Sequence, residues 1–141
     1  MAFPTLVTFA LGTNLGNRES NIKIALNFLD IALGSHYVAL SPVIQTQAVG
    51  FDGPDFLNCL VRYRTAKSPR TILGICKHIE RQMGRSDAPE YAEDGSRIYH
   101  DRIIDIDILF YGNSHIDTPE LTIPHPQVES RPYIKELLLN L

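Results

Sequence analysis

The segment Arg102–Gly112 restricts the fold of this chain more than any other stretch. It is rich in β-branched and aromatic residues and ends at a glycine, which predicts a β-strand. Because side chains alternate between the two faces of a strand, Asp105 and Asp107 are expected on one face, about 7 Å apart. The opposite, apolar face is expected to hold Ile104, Ile106, Ile108 and Phe110.

Two neighbouring carboxylates on an otherwise apolar strand repel each other, and burying either one without a partner is costly. A hard divalent cation between Asp105 and Asp107 would remove this cost, and Mg²⁺ usually keeps waters or substrate phosphates as its other ligands. The alternative is an exposed sheet edge with solvated aspartates, one of them paired with Arg102. Taken alone, the pair favours this second interpretation; the rest of the chain shifts the balance towards a cation.

Hydrophobic periodicity predicts alternating strands and helices along the chain. Strands are predicted over Thr5–Gly12, Tyr37–Thr46, Asp55–Thr65 and Arg102–Gly112, helices over Arg18–Leu33 and Pro69–Met83, and a short C-terminal helix over Val128–Leu139. Pro42 marks the second strand as an edge or bulge. The order βαββαβ is that of the ferredoxin-like fold, an α+β class with an antiparallel sheet and helices on one face. We expect a single domain over residues 1–141.

Composition limits the classes of partner. The net charge of −3 disfavours nucleic-acid and anionic-membrane partners. The apolar start lacks the basic residues and cleavage site of a signal peptide, and no apolar run has the length of a membrane span, so a cytoplasmic protein is expected. The chain is also expected to be a monomer. The two cysteines, Cys59 and Cys76, lie in apolar periodic segments and are expected to be buried free thiols rather than a disulfide.

The segment Arg85–Asp101 has no sustained period, and such long loops in small domains are often lids or binding loops. Phosphate chemistry needs cations around the transferred group, and Arg85, Arg97 and Arg102 lie in or beside this segment. Ordinary surface arginine is the alternative, and the favoured one for Arg97. The usual phosphate-loop sequences are absent, so the aspartate pair would act on phosphates through Mg²⁺.

Three further residues could contact a ligand. The amide of Asn58 could read the donor and acceptor edge of a heterocycle, and Phe56, on the same strand face, could stack on a flat ring. The alternatives are an amide paired with backbone and a core phenylalanine. His125, between two prolines, could donate to a phosphate or simply cap a turn.

Together these segments resemble the 6-hydroxymethyl-7,8-dihydropterin pyrophosphokinase family of folate biosynthesis. The segments that match are Leu11–Asn17, Thr46–Asn58, Ile79-Glu80, Gly84-Arg85, Arg102–Gly112 and Leu121–His125. The resemblance implies a ferredoxin-like fold and the Mg²⁺-dependent transfer of pyrophosphate from ATP to the hydroxymethyl group of the pterin, with release of AMP.

The resemblance also implies roles for single residues. Asp105 and Asp107 would be ligands of two Mg²⁺ ions, Arg85 and Arg102 would clamp phosphates, and the long loop would close as a lid. The ATP side would consist of Glu80, Arg85, Tyr99, Arg102, Ile108, Thr122, His125 and Arg131. The pterin side would consist of Thr46, Val49, Phe56, Asn58, Asp105 and Tyr133, with the two aromatic rings stacking on the pterin.

Some residues depart from the usual pattern of the family. Tyr99 and the two residues after it stand in place of a common Trp-Gly-Pro, Asp87 and Glu120 stand where many members carry arginine, and Lys77 stands where glutamine is frequent. Two alternatives remain open: a ferredoxin-like ligand- or RNA-binding module without catalysis, and a catalytically weak homologue. The first strand has no basic residue, which disfavours RNA binding.

Overall fold

The structure is a computed structural model that describes residues 4–48, 52–84, 90–91, 93–94, 97–98 and 103–141. In chain order its elements are β1 (Thr5–Thr13), α1 (Arg18–Leu33), β2 (Ala39–Leu40), β3 (Ile44–Thr46), β4 (Phe56–Thr65), α2 (Pro69–Gln82), β5 (Glu90–Tyr91), β6 (Arg97–Ile98), β7 (Asp105–Tyr111), β8 (Ile116–Asp117), β9 (Thr122–Ile123), α3 (Gln127–Ser130) and α4 (Pro132–Leu139).

The main sheet has the strand order β2-β4-β1-β7, with β3 paired to the same edge of β4 as β2. All its pairings are antiparallel. The predicted second strand is therefore an edge strand in two pieces, interrupted around Pro42, as its proline predicted. The mixed α/β architecture with an antiparallel sheet is confirmed.

Local signals fix the two long helices. Helix α1 begins after Asn17, whose side chain accepts a hydrogen bond from the backbone N–H of Ser20 at 3.1 Å, and its bounds match the prediction. It ends at Gly34, which has a φ of 70° that favours glycine. Helix α2 begins after the N-cap Ser68 with Pro69 in its first turn, again as predicted.

Apolar side chains fill both faces of the sheet. On one face, Cys59 and Val61 of β4 belong to a core cluster that includes buried residues of α1 and α2. On the other face, Leu60 packs with Ile134 and Leu137 of α4. The prediction that the helices of the sheet lie on one face holds for α1 and α2, whereas the C-terminal helix α4 covers part of the opposite face.

A β-bulge interrupts β7. Thr8 of β1 pairs with Phe110 and Phe9 pairs with Ile108, so Leu109 is an extra residue on β7. Leu109 and Phe110 consequently both pack on the α4 side. The predicted placement of Phe110 on the same face as Ile108 is wrong for this reason, while the predicted common face is confirmed for Ile104, Ile106 and Ile108.

The C-terminal helix differs from its prediction. Residues 127–139 form two helices, α3 and α4, separated by Arg131 in an extended conformation with φ −112° and ψ 105°. The ring of Pro132 disfavours a helical conformation of the preceding residue, which explains the break.

The remaining expectations concern cysteines, membranes and the long loop. Cys59 and Cys76 are free and buried, as predicted.

Within the described part of the chain, no helix is both long and apolar enough to cross a membrane. Of the predicted lid, β5 and β6 pair antiparallel, and most of its other residues lie outside the described ranges.

Candidate active site

Three residues form one row across the three central strands of the sheet. In the backbone register, Gly12 of β1 lies directly opposite Asn58 of β4 on one side and Asp105 of β7 on the other. Directly opposed residues of antiparallel strands project to the same face. Asn58, predicted to recognise a heterocycle, and Asp105, a predicted metal ligand, therefore lie on one surface, two strand spacings or about 10 Å apart.

The Asn58 end of this row is buried and ordered by hydrogen bonding. Asn58 is 7% exposed, and its Nδ2 donates to Thr46 Oγ1 at 2.7 Å. Phe56, two residues earlier on the same face, pairs with Thr46 in the sheet register. These three residues of the predicted pterin side are thus close together. Val49 of that predicted set lies outside the described residues.

The turn before β4 is held in place by the loop after β1. Asn14, 1% exposed, donates from Nδ2 to the carbonyl oxygen of Pro54 at 3.0 Å. Arg18 donates to the carbonyl oxygen of Asp55 at 2.8 Å. The loop's Gly16 has a φ of 67°, a left-handed conformation that favours glycine. This loop, part of the matching segment Leu11–Asn17, therefore supports the approach to Phe56 and Asn58.

A cleft of about 320 Å³ opens at the Asp105 end of the row. It lies between α2, β7 and the segment that leads from β8 to α3. Its lining includes both aspartates and four residues of the predicted ATP side: Glu80, Asp105, Asp107, Ile108, Thr122 and His125. The structure thus brings together residues that are separated by 45 positions in the sequence.

His125 faces the aspartate pair. Its Nε2 lies 3.8 Å from Asp107 Oδ1, and its Nδ1 accepts a hydrogen bond from the backbone N–H of Gln127 at 3.1 Å. Because Nδ1 is an acceptor, the proton of the neutral ring is on Nε2 and points towards the cleft. Burial lowers the pKa of His125, with Asp105 opposing the shift, so the neutral donor form prevails at neutral pH.

Glu80 is attached to the strand that carries the aspartates. It is 5% exposed, and its Oε2 accepts a hydrogen bond from the backbone N–H of Ile106 at 2.9 Å. A second hydrogen bond joins the segment after β9 to the same strand: the backbone N–H of His125 donates to the carbonyl oxygen of Leu109 at 3.0 Å. Two sides of the cleft are therefore fixed to β7 by hydrogen bonds.

Negative charge concentrates around this strand. Burial raises the pKa of the Cys76 thiol, and the carboxylates of Glu80 and Asp107 raise it further. Burial likewise raises the pKa of Tyr133, with contributions from Asp107 and Asp105 in the same direction and from Arg131 in the opposite one. Tyr133 therefore lies close enough to Arg131 and to both aspartates for their charges to act on it.

The aspartate pair suits Mg²⁺. Both side chains line the same cleft and offer hard carboxylate oxygens. Among the described residues, no group of three or more histidine, cysteine or acidic side chains could enclose a metal ion. A closed structural site is therefore not formed by these residues, whereas a cation that takes most of its ligands from water and phosphate fits the two carboxylates.

Some predicted site residues cannot be placed, and the cleft contains others that were given no role. Arg85, Tyr99 and Arg102 lie outside the described residues, as does Asp87. Lys77 and Glu120 line the cleft, although the sequence analysis named them only as departures from the family pattern. Gly12 was not singled out either; only the register of three strands shows its position between Asn58 and Asp105.

Comparison with known proteins identifies the family of the chain. A sequence profile of the 7,8-dihydro-6-hydroxymethylpterin-pyrophosphokinase (HPPK) family matches residues 8–141. A Porphyromonas gingivalis protein named 2-amino-4-hydroxy-6-hydroxymethyldihydropteridine pyrophosphokinase is 38% identical over 132 residues, which are 92% of this chain and 86% of that protein. The Bacillus subtilis protein of the same name is 29% identical over 126 residues, 89% of this chain and 71% of its own length.

Parts of larger proteins are also similar to this chain. The folate synthesis bifunctional protein of Arabidopsis thaliana is 38% identical over 136 residues, which are 96% of this chain but only 26% of that protein. A solved structure of HPPK-DHPS in complex with substrates aligns with 98% of this chain and 40% of its own, with a TM-score of 0.67. At 14% identity that likeness speaks for the fold alone.

The family profile spans residues 8–141, and the P. gingivalis relative is similar along most of both chains. The chain therefore belongs to the HPPK family and is an enzyme, a pyrophosphokinase of folate synthesis.

Proposed function

We propose that this chain transfers pyrophosphate from ATP to the hydroxymethyl group of 6-hydroxymethyl-7,8-dihydropterin and releases AMP. One observation carries the proposal: Asp105 belongs both to the row that contains the buried amide of Asn58 and to the cleft lined by Asp107 and His125. A heterocycle bound at Asn58 would thus end beside the carboxylates that suit a phosphate-bound cation.

The pterin side uses the residues around Asn58. The Asn58 amide recognises the polar edge of the ring, Thr46 fixes the amide by its 2.7 Å hydrogen bond, and Phe56 stacks on the ring. Tyr133, within electrostatic reach of both aspartates, stacks from the other side. The contribution of Val49 follows from the family resemblance alone.

The ATP side uses the cleft. Glu80, Ile108, Thr122 and His125 line it, and the Nε2 proton of His125 is available to a phosphate oxygen. Further ATP contacts are assigned to Arg131, and by family resemblance alone to Arg85, Tyr99 and Arg102. The resemblance also makes residues 85–101 a lid that excludes water when both substrates are bound.

Asp105 and Asp107 would hold two Mg²⁺ ions, which neutralise charge on the triphosphate when bound. Asp105 also accepts a hydrogen bond from the pterin hydroxyl and orients it towards the β-phosphorus. The hydroxyl oxygen loses its proton to solvent and bonds to the β-phosphorus as the bond from that phosphorus to the bridging oxygen of the α-phosphate breaks, so that AMP leaves with this oxygen. Because pyrophosphate goes directly to a substrate hydroxyl, the protein needs no covalent nucleophile.

The proposal also covers the fold class, the domain extent, the partners, the cellular location and the oligomeric state. The strand order β2-β4-β1-β7 with α1 and α2 on one face supports a ferredoxin-like fold over a single domain, residues 1–141. The substrates are small molecules, and the net charge of −3 favours neither nucleic acid nor anionic membranes as partners. We assign the chain to the cytoplasm as a monomer.

The test is a product assay. Purified protein is incubated with ATP, Mg²⁺ and 6-hydroxymethyl-7,8-dihydropterin, and the nucleotides are separated. AMP that forms only when both the pterin and Mg²⁺ are present is the expected result, and omission of each component in turn is the control. Formation of ADP would mean transfer of a single phosphoryl group and would overturn the proposal, as would the absence of turnover.

A further inference from the structure

We infer that Gly12 determines the specificity of the pterin site, because its missing side chain leaves the sheet surface between Asn58 and Asp105 open for a flat ring. The inference rests on the proposed function and adds a residue to it. The role concerns the binding surface, since the strand conformation of Gly12 does not itself call for glycine.

The close approach of Asn58 is the first support. A Cβ atom at Gly12 would lie 3.2 Å from Asn58 Oδ1 and 3.6 Å from Phe56 Cδ1. It would project from the sheet on the same face as these side chains and as Asp105. Any side chain at Gly12 would therefore stand where a ring held by Asn58 must lie.

The backbone conformation at Gly12 does not require a glycine. Positive φ values are found at Gly16, Gly34, Gly84 and Gly112, and Gly12 is not among them. It lies inside a regular strand, where glycine is less favourable than other residues. A glycine in a strand interior often marks a place where a ligand approaches the backbone closely.

The free polar atom of Asn58 is the second support. Its Nδ2 is used by Thr46, while its Oδ1, the atom nearest to a Cβ at Gly12, has no hydrogen-bond partner in the described part of the chain. A side chain that is 7% exposed with an unsatisfied acceptor needs a donor from elsewhere. The N–H groups on the edge of a pterin lying over Gly12 supply such donors.

The experiment compares Gly12→Ala with Gly74→Ala. Gly74 is in α2 and has nothing within 4 Å of an added Cβ, so the same substitution there adds a methyl group in open space. Binding of 6-hydroxymethyl-7,8-dihydropterin and of a non-hydrolysable ATP analogue is measured by calorimetry. We expect Gly12→Ala to weaken pterin binding by roughly 10- to 100-fold with little change for the ATP analogue, and Gly74→Ala to change neither.

A second measurement uses the unaltered protein, so the test does not depend on the folding of the variant. In a ¹H–¹⁵N spectrum, the Gly12 amide signal should shift when the pterin is added, while that of Gly74 stays in place. Unchanged pterin affinity in a folded Gly12→Ala variant, or a Gly12 signal that does not respond, would overturn the inference. If the unaltered protein does not bind the pterin at all, the proposed function itself fails, which is a different result.

Discussion

The buried carboxylate of Glu80 accepts a hydrogen bond from the backbone N–H of Ile106, the residue between the two aspartates of β7. In the main sheet β7 is the last strand in the order, so this N–H is satisfied by a helix side chain instead of a neighbouring strand. Helix α2 and the aspartate-bearing strand are joined at the point where the cation is expected.

Replacing Glu80 by alanine should therefore destabilise the protein. The Ile106 N–H would remain buried without a partner, which costs about 1–3 kcal/mol of unfolding free energy. We expect that loss in urea denaturation, together with reduced turnover. The control is Glu129→Ala, which removes an exposed ion pair with Lys135 and should change stability by less than about 1 kcal/mol. Equal stability of Glu80→Ala and the parent protein would contradict the role of this hydrogen bond.

Asp107→Ala should abolish turnover while the fold persists. The side chain of Asp107 is 24% exposed and lines the cleft, so its loss removes a charge from the proposed phosphate site without emptying the core. We expect a decrease of at least about 100-fold in kcat, and an unchanged circular dichroism spectrum. Asp117→Ala, an exposed acid on β8, serves as the control and should retain full activity. An active Asp107→Ala variant would remove the metal site from the proposal.

The charges of Lys77 and Glu120 should affect nucleotide affinity in opposite directions. Both residues line the cleft that would receive the triphosphate. Glu120→Ala should tighten, and Lys77→Met should weaken, binding of an ATP analogue by about two- to fivefold at low ionic strength. Because salt screens such interactions, both effects should shrink at 0.5 M NaCl. Calorimetric titration at two salt concentrations checks this, and two changes of the same sign would argue against an electrostatic origin.

Stability should fall at alkaline pH through the buried thiol of Cys59. Burial raises the pKa of this thiol from 9.0 to about 12, so the unfolded chain releases its proton at a lower pH than the folded protein does. The associated stability is fully present below pH 9 and is lost as the pH rises towards 12, by about 1.4 kcal/mol per pH unit.

Urea denaturation at pH 8 and pH 10 measures this slope. Cys76 and Tyr63, whose pKa values are also raised by burial, add to the loss in the parent protein. Cys59→Ala should lose about 1 kcal/mol less than the parent between the two pH values. Val61→Ala, a truncation of a buried residue on the same strand face without a titrating group, should keep the parental difference. Identical slopes for all three proteins would contradict the prediction.

Local signals account for the parts of the fold that were predicted. The apolar spacing and a following glycine defined α1 to its exact residues, and Ser68 with Pro69 defined the start of α2. The extra residue of β7 was missed because Leu109 and Phe110 are both apolar. The hydrophobic pattern is therefore compatible with Phe110 on either face of the sheet. The break at Arg131 had a signal in Pro132, but the apolar pattern continued across it.

In the candidate site, too, some residues could be predicted from the sequence and others could not. Asp105 and Asp107 could be selected because two charges interrupt an apolar strand, and family resemblance identified Glu80, Thr122 and His125 as neighbours of the same cleft. Gly12 could not be found by local reasoning, since its meaning depends on which residues of β4 and β7 lie opposite to it. Such long-range register is set by tertiary structure rather than by any short pattern.

The row from Asn58 through Gly12 to Asp105 ties the distance between the two ends of the site to the spacing of the strands. Backbone hydrogen bonding between β4, β1 and β7 holds the backbone at its two ends about two strand spacings apart, near 4.8 Å each, and this spacing does not depend on the side chains. A one-residue slip of β4 or β7 would turn the recognising side chain to the opposite face. A homologue that accepts a substrate with a different distance between ring edge and hydroxyl would therefore differ in the length or position of the recognising side chain rather than in the spacing of the strands.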